Sequence, residues 1–406
     1  MKDIFDKCHD FLEKPGNFDA ADCALAAELF SDVSPPANAG PWMNTNGRAL
    51  LQFSSNDYLG LANHPDVLAE SVAAIRQYGI CSPMGSRLMT GTTEHHLELE
   101  RRISAFKRCE AALTFSAGSL AMIGTLSCLA GPGDTLILDE YAHATLVCGA
   151  KVSGARIAYF RHNDVDHLEG ILDRMSPRRP TAVVVDGVYS MQGDLGRLVD
   201  LVELKEHFGF RLIVDDAHGT GVFGEQGRGT AAHFDVEDRI DLHLGTFSKA
   251  VGTLGGFVAG DHEVVEYVRY HAPTFVFTKA MPTVVAAATT KAIELLAVAD
   301  VQREKLWKNT RRLRDGLKRL GFRLTPSQSP ITPIEFDGTE AIYFAHELRK
   351  VYNLWVAPVV YPAVPLGRSI LRVIPTANHT DSDIERLIEA LLAIQVTRIH
   401  GLITPV

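Results

Sequence analysis

The sequence lacks several features that would place it in whole classes of protein. No uninterrupted apolar run approaches the ~18 residues of a membrane-spanning helix, so we expect no transmembrane segment. Excess positive charge is also missing, because the formal net charge is −9 at pH 7, and this argues against a nucleic-acid partner. The six cysteines form no C-x-x-C pair, which favours reduced thiols over a disulfide framework or a zinc site.

Signals for export and for metal binding are absent as well. The first residues, MKDIFDKCHDFLEK, are charged throughout, so we expect a cytoplasmic protein without a signal peptide. Two clusters, at residues 94–100 (EHHLELE) and 215–218 (DDAH), contain residue types that bind metals. We expect no metal site, because the adjacent His95 and His96 cannot share a helix face and no second cluster stands at ligand spacing.

The sequence does contain the apolar residues that a large core requires. It has 406 residues, of which 46% are hydrophobic, enough for about two or three domains. Short apolar runs rich in branched residues alternate with helical patterns, and this alternation predicts an α/β fold with a parallel, doubly wound sheet. The runs are ALTF, TLILD, RIAYF, AVVVD, RLIVD and LHLG, between residues 112 and 245.

The pattern divides the chain into three parts. Turn-rich sequence before residue 50 predicts an N-terminal arm over residues 1–50. The alternating elements predict a large domain over residues 51–289. A smaller α+β domain is predicted over residues 290–406, with a last helix that begins at a capping box formed by Thr380 and Asp383.

Polar residues follow five of the apolar runs where the predicted strands end. Ligands of open parallel sheets bind beyond the carboxyl ends of the strands, so we expect these residues to form one site. No single strand end is specific, and the convergence carries the argument. The residues are Ser116, Gly118 and Ser119, then His143, then Ser190, then Asp215 and His218, and finally Thr246 and Lys249.

Lys249 is the only charged residue in LGTFSKAVGTLGG. Apolar surroundings disfavour the ammonium form and lower its pKa, and neutral lysine is the nucleophile that captures carbonyl compounds and pyridoxal 5'-phosphate (PLP). PLP also needs an acid for its ring nitrogen, which Asp215 or Asp216 would supply, and an anion site, which the helix opening at SAGSLA would supply. The alternative is a lysine at a strand end that merely extends into solvent.

Eight segments, in order over nearly the whole chain, resemble the α-oxoamine synthases, a PLP-dependent group of the fold-type-I aminotransferase superfamily. This resemblance implies a large domain with a mostly parallel central sheet, a smaller C-terminal domain, and a homodimer with shared active sites. Two of these segments, GTFSKAVGTLGGF and GVYSMQGD, together with the stretch RHNDVDHL, are most similar to the soluble bacterial serine palmitoyltransferases. The other segments are NDYLGL, GSRLMTGT, HATL, VDDAHGTGVFGEQGRG, FVFTKAMP and LRVIPTANHT.

The resemblance also implies roles for individual residues. Lys249 would hold the cofactor and later move the Cα proton, while Asp215 would pair with the pyridinium. The other cofactor contacts would be His143 stacked on the ring, His218 and Ser190 near its phenolic oxygen, Thr246, Gly118 and Ser119 at the phosphate, and Thr278 reaching the phosphate of the neighbouring subunit. Arg372 would grip the substrate carboxylate, with Asn56 and Ser86 near the substrate.

The activity implied is the decarboxylative condensation of an amino acid with an acyl-CoA thioester. Members restricted to glycine often carry threonine where this chain has Ser86, so we expect serine or alanine. Two alternatives within the group are an 8-amino-7-oxononanoate synthase and a secondary-metabolite synthase that uses a carrier-protein thioester. An aminotransferase with the same fold and lysine is a third. Ser119 and Met122 depart from the group's pattern beside the phosphate.

Overall fold

The computed structural model describes residues 3–6, 8, 40–45, 47–175, 179–361 and 363–399, so most of the predicted N-terminal arm lies outside the described residues. Strands and helices alternate along the chain, as the apolar pattern predicts. The strands are β1 (Trp42–Thr45), β2 (Arg48–Gln52), β3 (Ala111–Phe115), β4 (Thr135–Asp139), β5 (Arg156–Phe160), β6 (Thr181–Asp186), β7 (Arg211–Asp215), β8 (Leu242–Thr246), β9 (Gly256–Gly260), β10 (Thr332–Asp337), β11 (Leu354–Trp355), β12 (Ala357–Val359) and β13 (Arg368–Val373).

The helices lie between these strands, except for the last one, which follows the final strand. They are α1 (Pro65–Tyr78), α2 (Glu94–Lys107), α3 (Gly118–Leu129), α4 (Ala144–Ser153), α5 (Val165–Leu172), α6 (Leu198–Phe208), α7 (Thr230–His233), α8 (His262–His271), α9 (Pro273–Val276), α10 (Thr283–Ala297), α11 (Asp300–Arg319), α12 (Glu340–Lys350) and α13 (Asp381–Ile399).

A seven-stranded sheet forms the centre of the molecule, in the order β3-β9-β8-β7-β6-β4-β5. Strands β8, β7, β6, β4 and β5 pair in parallel, which confirms the predicted α/β class. Both faces are covered, because alternate side chains of one strand enter different cores: Ile213 packs on one side of the sheet, and Leu212 and Val214 on the other. This two-sided burial explains why the strands read as continuous apolar runs.

Strand β9 was not predicted from the sequence. It runs antiparallel to β3 and β8. Its sequence, GFVAG, is rich in small residues that intrinsic propensity does not assign to strands. The small residues have a structural reason, because a Cβ at Gly256 would lie 2.5 Å from the Cα of Gly118 at the start of α3.

The C-terminal region forms a separate core with two small sheets. One is the antiparallel sheet β10-β13-β12, and the other is β1-β2-β11. The predicted capping box at the start of α13 is confirmed, since the backbone N–H of Thr380 donates to the Asp383 carboxylate at 2.8 Å and the N–H of Asp383 donates back to the Thr380 hydroxyl at 3.2 Å. The predicted FRLT strand forms only an isolated bridge between Leu324 and Ile334.

The predicted domain boundaries at residues 50 and 289 stay a prediction. Leu51 and Phe53 pack in the C-terminal core with residues such as Leu354 and Val373. Helix α10 continues across residue 289. Helix α10 therefore runs from the predicted large domain into the predicted small domain without a break.

Candidate active site

A cavity of about 240 Å³ lies at the carboxyl edge of the central sheet. It is bounded by the ends of β6, β7 and β8 and by the starts of α3 and α4, which is where ligands bind in open parallel sheets. A larger cavity of about 430 Å³ lies at the opposite edge, among residues such as Thr135, Thr181 and Leu242 at the amino ends of the strands. The smaller cavity is the one lined by residues that the sequence predicts to be catalytic or cofactor-binding. Seven predicted site residues line it: Gly118, Ser119, His143, Asp215, His218, Thr246 and Lys249.

Lys249 and Asp215 form the electrostatic centre of this cavity. Burial lowers the pKa of the Lys249 amine to about 8, although the nearby Asp215 favours its charged form. Burial raises the pKa of the Asp215 carboxyl to about 6, with Lys249 acting in the opposite direction. One Asp215 oxygen accepts the backbone N–H of Ala217 at 3.0 Å, which fixes the carboxylate at the end of β7. Near neutral pH the pair therefore offers a carboxylate and an amine that deprotonates readily.

Asp216 was the alternative acid, and the structure directs it elsewhere. Its carboxylate receives the Lys107 ammonium at 3.2 Å and the Thr230 hydroxyl at 2.7 Å, and all three side chains are buried. Asp216 does not line the cavity. The two neighbouring aspartates thus have different roles. Asp215 lines the cavity, and Asp216 binds Lys107 and Thr230 outside it.

The start of α3 provides a place for an anion. Its N-cap, Ala117, makes no side-chain hydrogen bond to the first turn, so within the described chain these backbone N–H groups have no side-chain cap. The Thr246 hydroxyl lies 2.8 Å from that of Ser248, and both residues line the same cavity. A Cβ at Gly118 would lie 2.6 Å from the Thr246 hydroxyl, which explains the glycine. Helix dipole, N–H groups and hydroxyls together suit a phosphate.

His143 lies at the rim of the cavity, where it caps α4. Its backbone N–H donates to the Asp186 carboxylate at 3.0 Å. Its ring Nδ1 lies 2.7 Å from the Thr145 hydroxyl, and this contact fixes the orientation of the imidazole. Burial, and then the charge of Lys249, lower the pKa of His143, so the ring is neutral when a cation lies beside it.

Arg372 and Ser190 do not line the cavity, but a chain of contacts joins them to it. The Arg372 Nε donates to the Ser190 carbonyl at 2.7 Å. The hydroxyl of Tyr58 lies 2.7 Å from His218 Nδ1, and the positive charge of Arg372 lies near the same hydroxyl. Burial lowers the pKa of Arg372 from its ordinary value and the pKa of His218 well below 6.5.

Three further predicted residues lie outside the cavity lining. The Oδ1 of Asn56 is buried, and no hydrogen-bond partner for it occurs in the described part of the chain. The Ser86 carbonyl accepts the N–H of Gly91 at 2.7 Å, and Ser86 forms an isolated bridge with Lys279. Thr278 follows Phe277, whose side chain is 86% exposed. Their predicted roles in binding stay predictions.

Sequence reasoning missed Asp186 and Tyr58. Asp186 ends β6, pairs in register with Asp215 and lines the cavity. Burial, and then the neighbouring Asp215, raise the pKa of Asp186 well above its ordinary value, so this carboxyl tends to hold its proton. The aspartate that ends AVVVD was a signal in the sequence, since it follows a buried strand as Asp215 does. Tyr58 left no local signal, because it is 160 residues from His218.

The cavity fits PLP on the chemistry of its own residues. An amine, a carboxylate, an imidazole and an uncapped helix start are the four groups that this cofactor requires, and all four line one cavity. Among the described residues, no group of three or more His, Cys, Asp or Glu could hold a metal ion. No helix in the described ranges has the length and apolar content of a membrane span.

Comparison with known proteins agrees with this chemistry. A family model described as aminotransferase class I and II matches residues 48–391. A cysteate-C-fatty acyltransferase of Capnocytophaga ochracea is 36% identical, over 97% of this chain and 95% of that protein. An 8-amino-7-oxononanoate synthase of Thermoanaerobacter pseudethanolicus is 38% identical, over 87% of this chain and 89% of that protein. A serine palmitoyltransferase of Sphingobacterium spiritivorum is 37% identical, also over 87% and 89%.

Solved structures give the same result for the fold. Sphingomonas wittichii serine palmitoyltransferase matches with a TM-score of 0.91 at 33% identity, over 99% of this chain and 100% of that chain. A serine palmitoyltransferase of S. paucimobilis with PLP and myriocin bound matches with a TM-score of 0.91 at 32% identity and the same coverage. These matches confirm the predicted fold type I and the predicted cofactor. The chain belongs to the aminotransferase class I and II family and is a PLP-dependent C-acyltransferase of the α-oxoamine synthase group.

Proposed function

We propose that this enzyme condenses an amino acid, serine or alanine, with an acyl-CoA thioester and releases carbon dioxide and free coenzyme A, giving an α-amino ketone. The observation that carries the proposal is the Lys249 amine beside the Asp215 carboxylate in a cavity with an anion site. The relatives support it, since two of them are named as transferases of acyl groups to serine or cysteate.

Six residues that line the cavity have proposed roles in this reaction. PLP, when bound, supplies an aldehyde that captures amines and a ring that withdraws electrons from Cα. Asp215 keeps a positive charge on a ring nitrogen by lying beside it as a carboxylate. The Lys249 amine, with its lowered pKa of about 8, removes the Cα proton as general base. Gly118, Ser119 and Thr246 would hold the phosphate, and His143 would cover the ring.

At the substrate end of the site, Arg372 is the residue proposed to bind the substrate carboxylate. Its planar guanidinium suits a carboxylate, and its orientation is set by the Ser190 carbonyl at 2.7 Å. Asn56 offers a buried oxygen that has no partner among the described residues, which supports a place beside the substrate. Ser86 stands beside the 277–281 segment, and its small side chain leaves room for a substituted amino acid.

We propose a homodimer with shared sites. Met84, Met89 and Phe277 are 76%, 77% and 86% exposed. They lie in one area, because the Ala280 N–H donates to the Gly85 carbonyl at 3.1 Å and joins their two segments. An exposed apolar area of this kind marks an interaction surface. It would place Thr278 at the phosphate of the neighbouring subunit.

We also propose a cytoplasmic location and retain the division into residues 1–50, 51–289 and 290–406. The location is supported by the described cysteines, Cys8, Cys81, Cys109, Cys128 and Cys148, all of which are free thiols. Reduced thiols are the usual state in the cytoplasm.

The test is a product screen with purified holoenzyme. Glycine, alanine, serine and cysteate would each be combined with acyl-CoAs of graded length, and carbon dioxide, free thiol and amino ketone measured together. Equal amounts of the three products with serine or alanine support the proposal. A clear preference for glycine contradicts the argument from Ser86.

Three alternatives have distinct outcomes in the same screen. An 8-amino-7-oxononanoate synthase, the activity named for the Thermoanaerobacter pseudethanolicus relative, would form product with a pimeloyl thioester and not with long-chain acyl-CoAs. A secondary-metabolite enzyme would accept a carrier-protein thioester and reject free acyl-CoA. An aminotransferase would form an oxo acid and release neither carbon dioxide nor thiol.

A further inference from the structure

We infer that Tyr58 is a positioning residue that fixes the proton of His218 on Nε2, so that this histidine presents an N–H to the cofactor pocket while the same hydroxyl supports Arg372. Tyr58 lies in the loop before α1, far along the chain from both partners. The inference rests on the proposed function only for the identity of the group that His218 faces.

The Tyr58 hydroxyl has a single proton, and the groups around it determine which of them can accept that proton. The Tyr58 side chain is 1% exposed, and its oxygen lies 2.7 Å from His218 Nδ1. The charged group near this hydroxyl is the guanidinium of Arg372. A guanidinium has donors only, so it cannot accept the Tyr58 proton.

The single proton of Tyr58 must then go to His218. If Nδ1 carried its own proton, the buried hydroxyl proton would have no acceptor in the described part of the chain, and such a loss costs about 1–3 kcal/mol. Nδ1 therefore accepts, and the hydroxyl donates. With this assignment the buried contact between Tyr58 and His218 is a satisfied hydrogen bond, whereas the other tautomer leaves the Tyr58 proton buried without an acceptor.

His218 is neutral, which completes the assignment. Burial and the cations Lys249 and Arg372 lower the pKa of His218 well below its ordinary value of 6.5. A neutral imidazole has one N–H, and with Nδ1 occupied this N–H is on Nε2. His218 lines the cavity, and Nε2 has no hydrogen-bond partner among the described residues, so it is the nitrogen left for a ligand.

The same hydroxyl links two ends of the site. It lies near the guanidinium of Arg372, whose Nε is held by the Ser190 carbonyl, and it donates to His218. Tyr58 thus connects the residue proposed to grip the substrate carboxylate with a residue that faces the cofactor. Removing the hydroxyl should affect both at once, which a merely space-filling tyrosine would not do.

The first test reads the tautomer directly. Holoenzyme labelled with ¹⁵N-histidine would be measured by NMR, with His218→Gln identifying the signal among the 16 histidines. We expect the Nε2–H form in the native protein, and a population with the proton on Nδ1 in Tyr58→Phe. An Nδ1–H form in the native protein, or an unchanged tautomer in Tyr58→Phe, overturns the inference.

The second test uses the bound cofactor and the substrate. Tyr58→Phe should change the pH dependence of the cofactor's absorption and raise KM for the amino acid about tenfold, with a smaller effect on kcat, because the buried guanidinium of Arg372 loses the polar oxygen near it. Tyr343→Phe is the matched control, since the Tyr343 hydroxyl is buried with no hydrogen-bond partner in the described chain. Equal behaviour of the two variants contradicts the inference.

The two proposals fail in different ways. The native tautomer can be measured in a protein that shows no acyltransferase activity, so an absent product leaves the assignment of His218 standing. Conversely, a wrong tautomer leaves the product screen unaffected.

Discussion

Lys249 combines burial with a carboxylate neighbour, and the two have opposite effects on its amine. Burial lowers the pKa of Lys249 to about 8, while Asp215 and Asp186 raise it again. Desolvation is the larger cause. The residue therefore keeps a substantial neutral fraction near pH 8, as required for attack on an aldehyde.

The pH dependence of cofactor loading follows from this pKa. When PLP is added to apoenzyme, the rate of colour formation should rise with pH, level off above about pH 8, and fall about tenfold per pH unit below it, since only the neutral amine reacts. Stopped-flow absorbance from pH 6 to 10 measures this rate. A midpoint near the ordinary lysine value of 10.5 would show that burial does not act as described.

At the scale of elements, the start of α3 and the end of β8 are in contact and together form the proposed phosphate site. Gly118→Ala would push a Cβ to 2.6 Å from the Thr246 hydroxyl, so the two elements must separate. We expect PLP affinity to fall about tenfold or more, because charge-assisted hydrogen bonds to the phosphate lengthen. Fluorescence titration of the apoenzyme measures the Kd.

A second helical glycine gives the control for that variant. A Cβ at Gly170 in α5 meets nothing within 4 Å. Gly170→Ala should therefore leave PLP affinity unchanged and raise helix stability slightly. A comparable loss of affinity in both variants would contradict the role assigned to Gly118.

His162 joins β4 to the hairpin that carries Ser190. Its Nδ1 lies 3.0 Å from Asp139 and its Nε2 lies 2.7 Å from Asp194. Burial opposes the charge, but hydrogen bonds and attraction from both aspartates prevail and raise the pKa of His162 to about 9. The protonated ring thus fixes the hairpin whose carbonyl holds Arg372.

The contacts of protonated His162 with Asp139 and Asp194 predict a free energy of unfolding that depends on pH. Because the folded pKa of about 9 exceeds the ordinary 6.5, the contribution is complete below pH 6.5 and is lost as pH rises through 9. The lost stability is on the order of 3 kcal/mol. Thermal unfolding of the native protein and His162→Gln should differ most near pH 6 and converge near pH 10. A difference in thermal stability that is constant over this pH range would contradict the stabilising role of protonated His162.

The sequence predicted six strands of the central sheet because buried branched runs leave a strong local signal, as in Val183 to Val185. It missed β9, whose small residues are selected by contact with α3 rather than by strand propensity. The strand-end residues Lys249, Asp215 and His218 could be predicted for the same local reason. Tyr58 could not, because its role depends on partners that only the folded chain brings together.

At the scale of the whole molecule, the proposed homodimer would bury the exposed apolar area around Phe277. Phe277→Asp places a charge in the exposed apolar area beside Thr278. We expect the dimer to dissociate and activity to fall at least about tenfold, since a charge in an apolar interface is unfavourable. Light scattering after size-exclusion chromatography measures the mass.

The matched control lies on another surface. Val298 is 73% exposed at the end of α10. Val298→Asp should keep both the dimer and the activity. If Phe277→Asp remains an active dimer, the interface lies elsewhere.

Borohydride reduction of the PLP-loaded protein, followed by peptide mass spectrometry, tests the central claim most directly. The account predicts that the pyridoxyl mass is found on the peptide containing Lys249 and is missing from Lys249→Ala, which should also lose turnover. Label on a different lysine of the native protein, or equal label in the variant, would contradict the account.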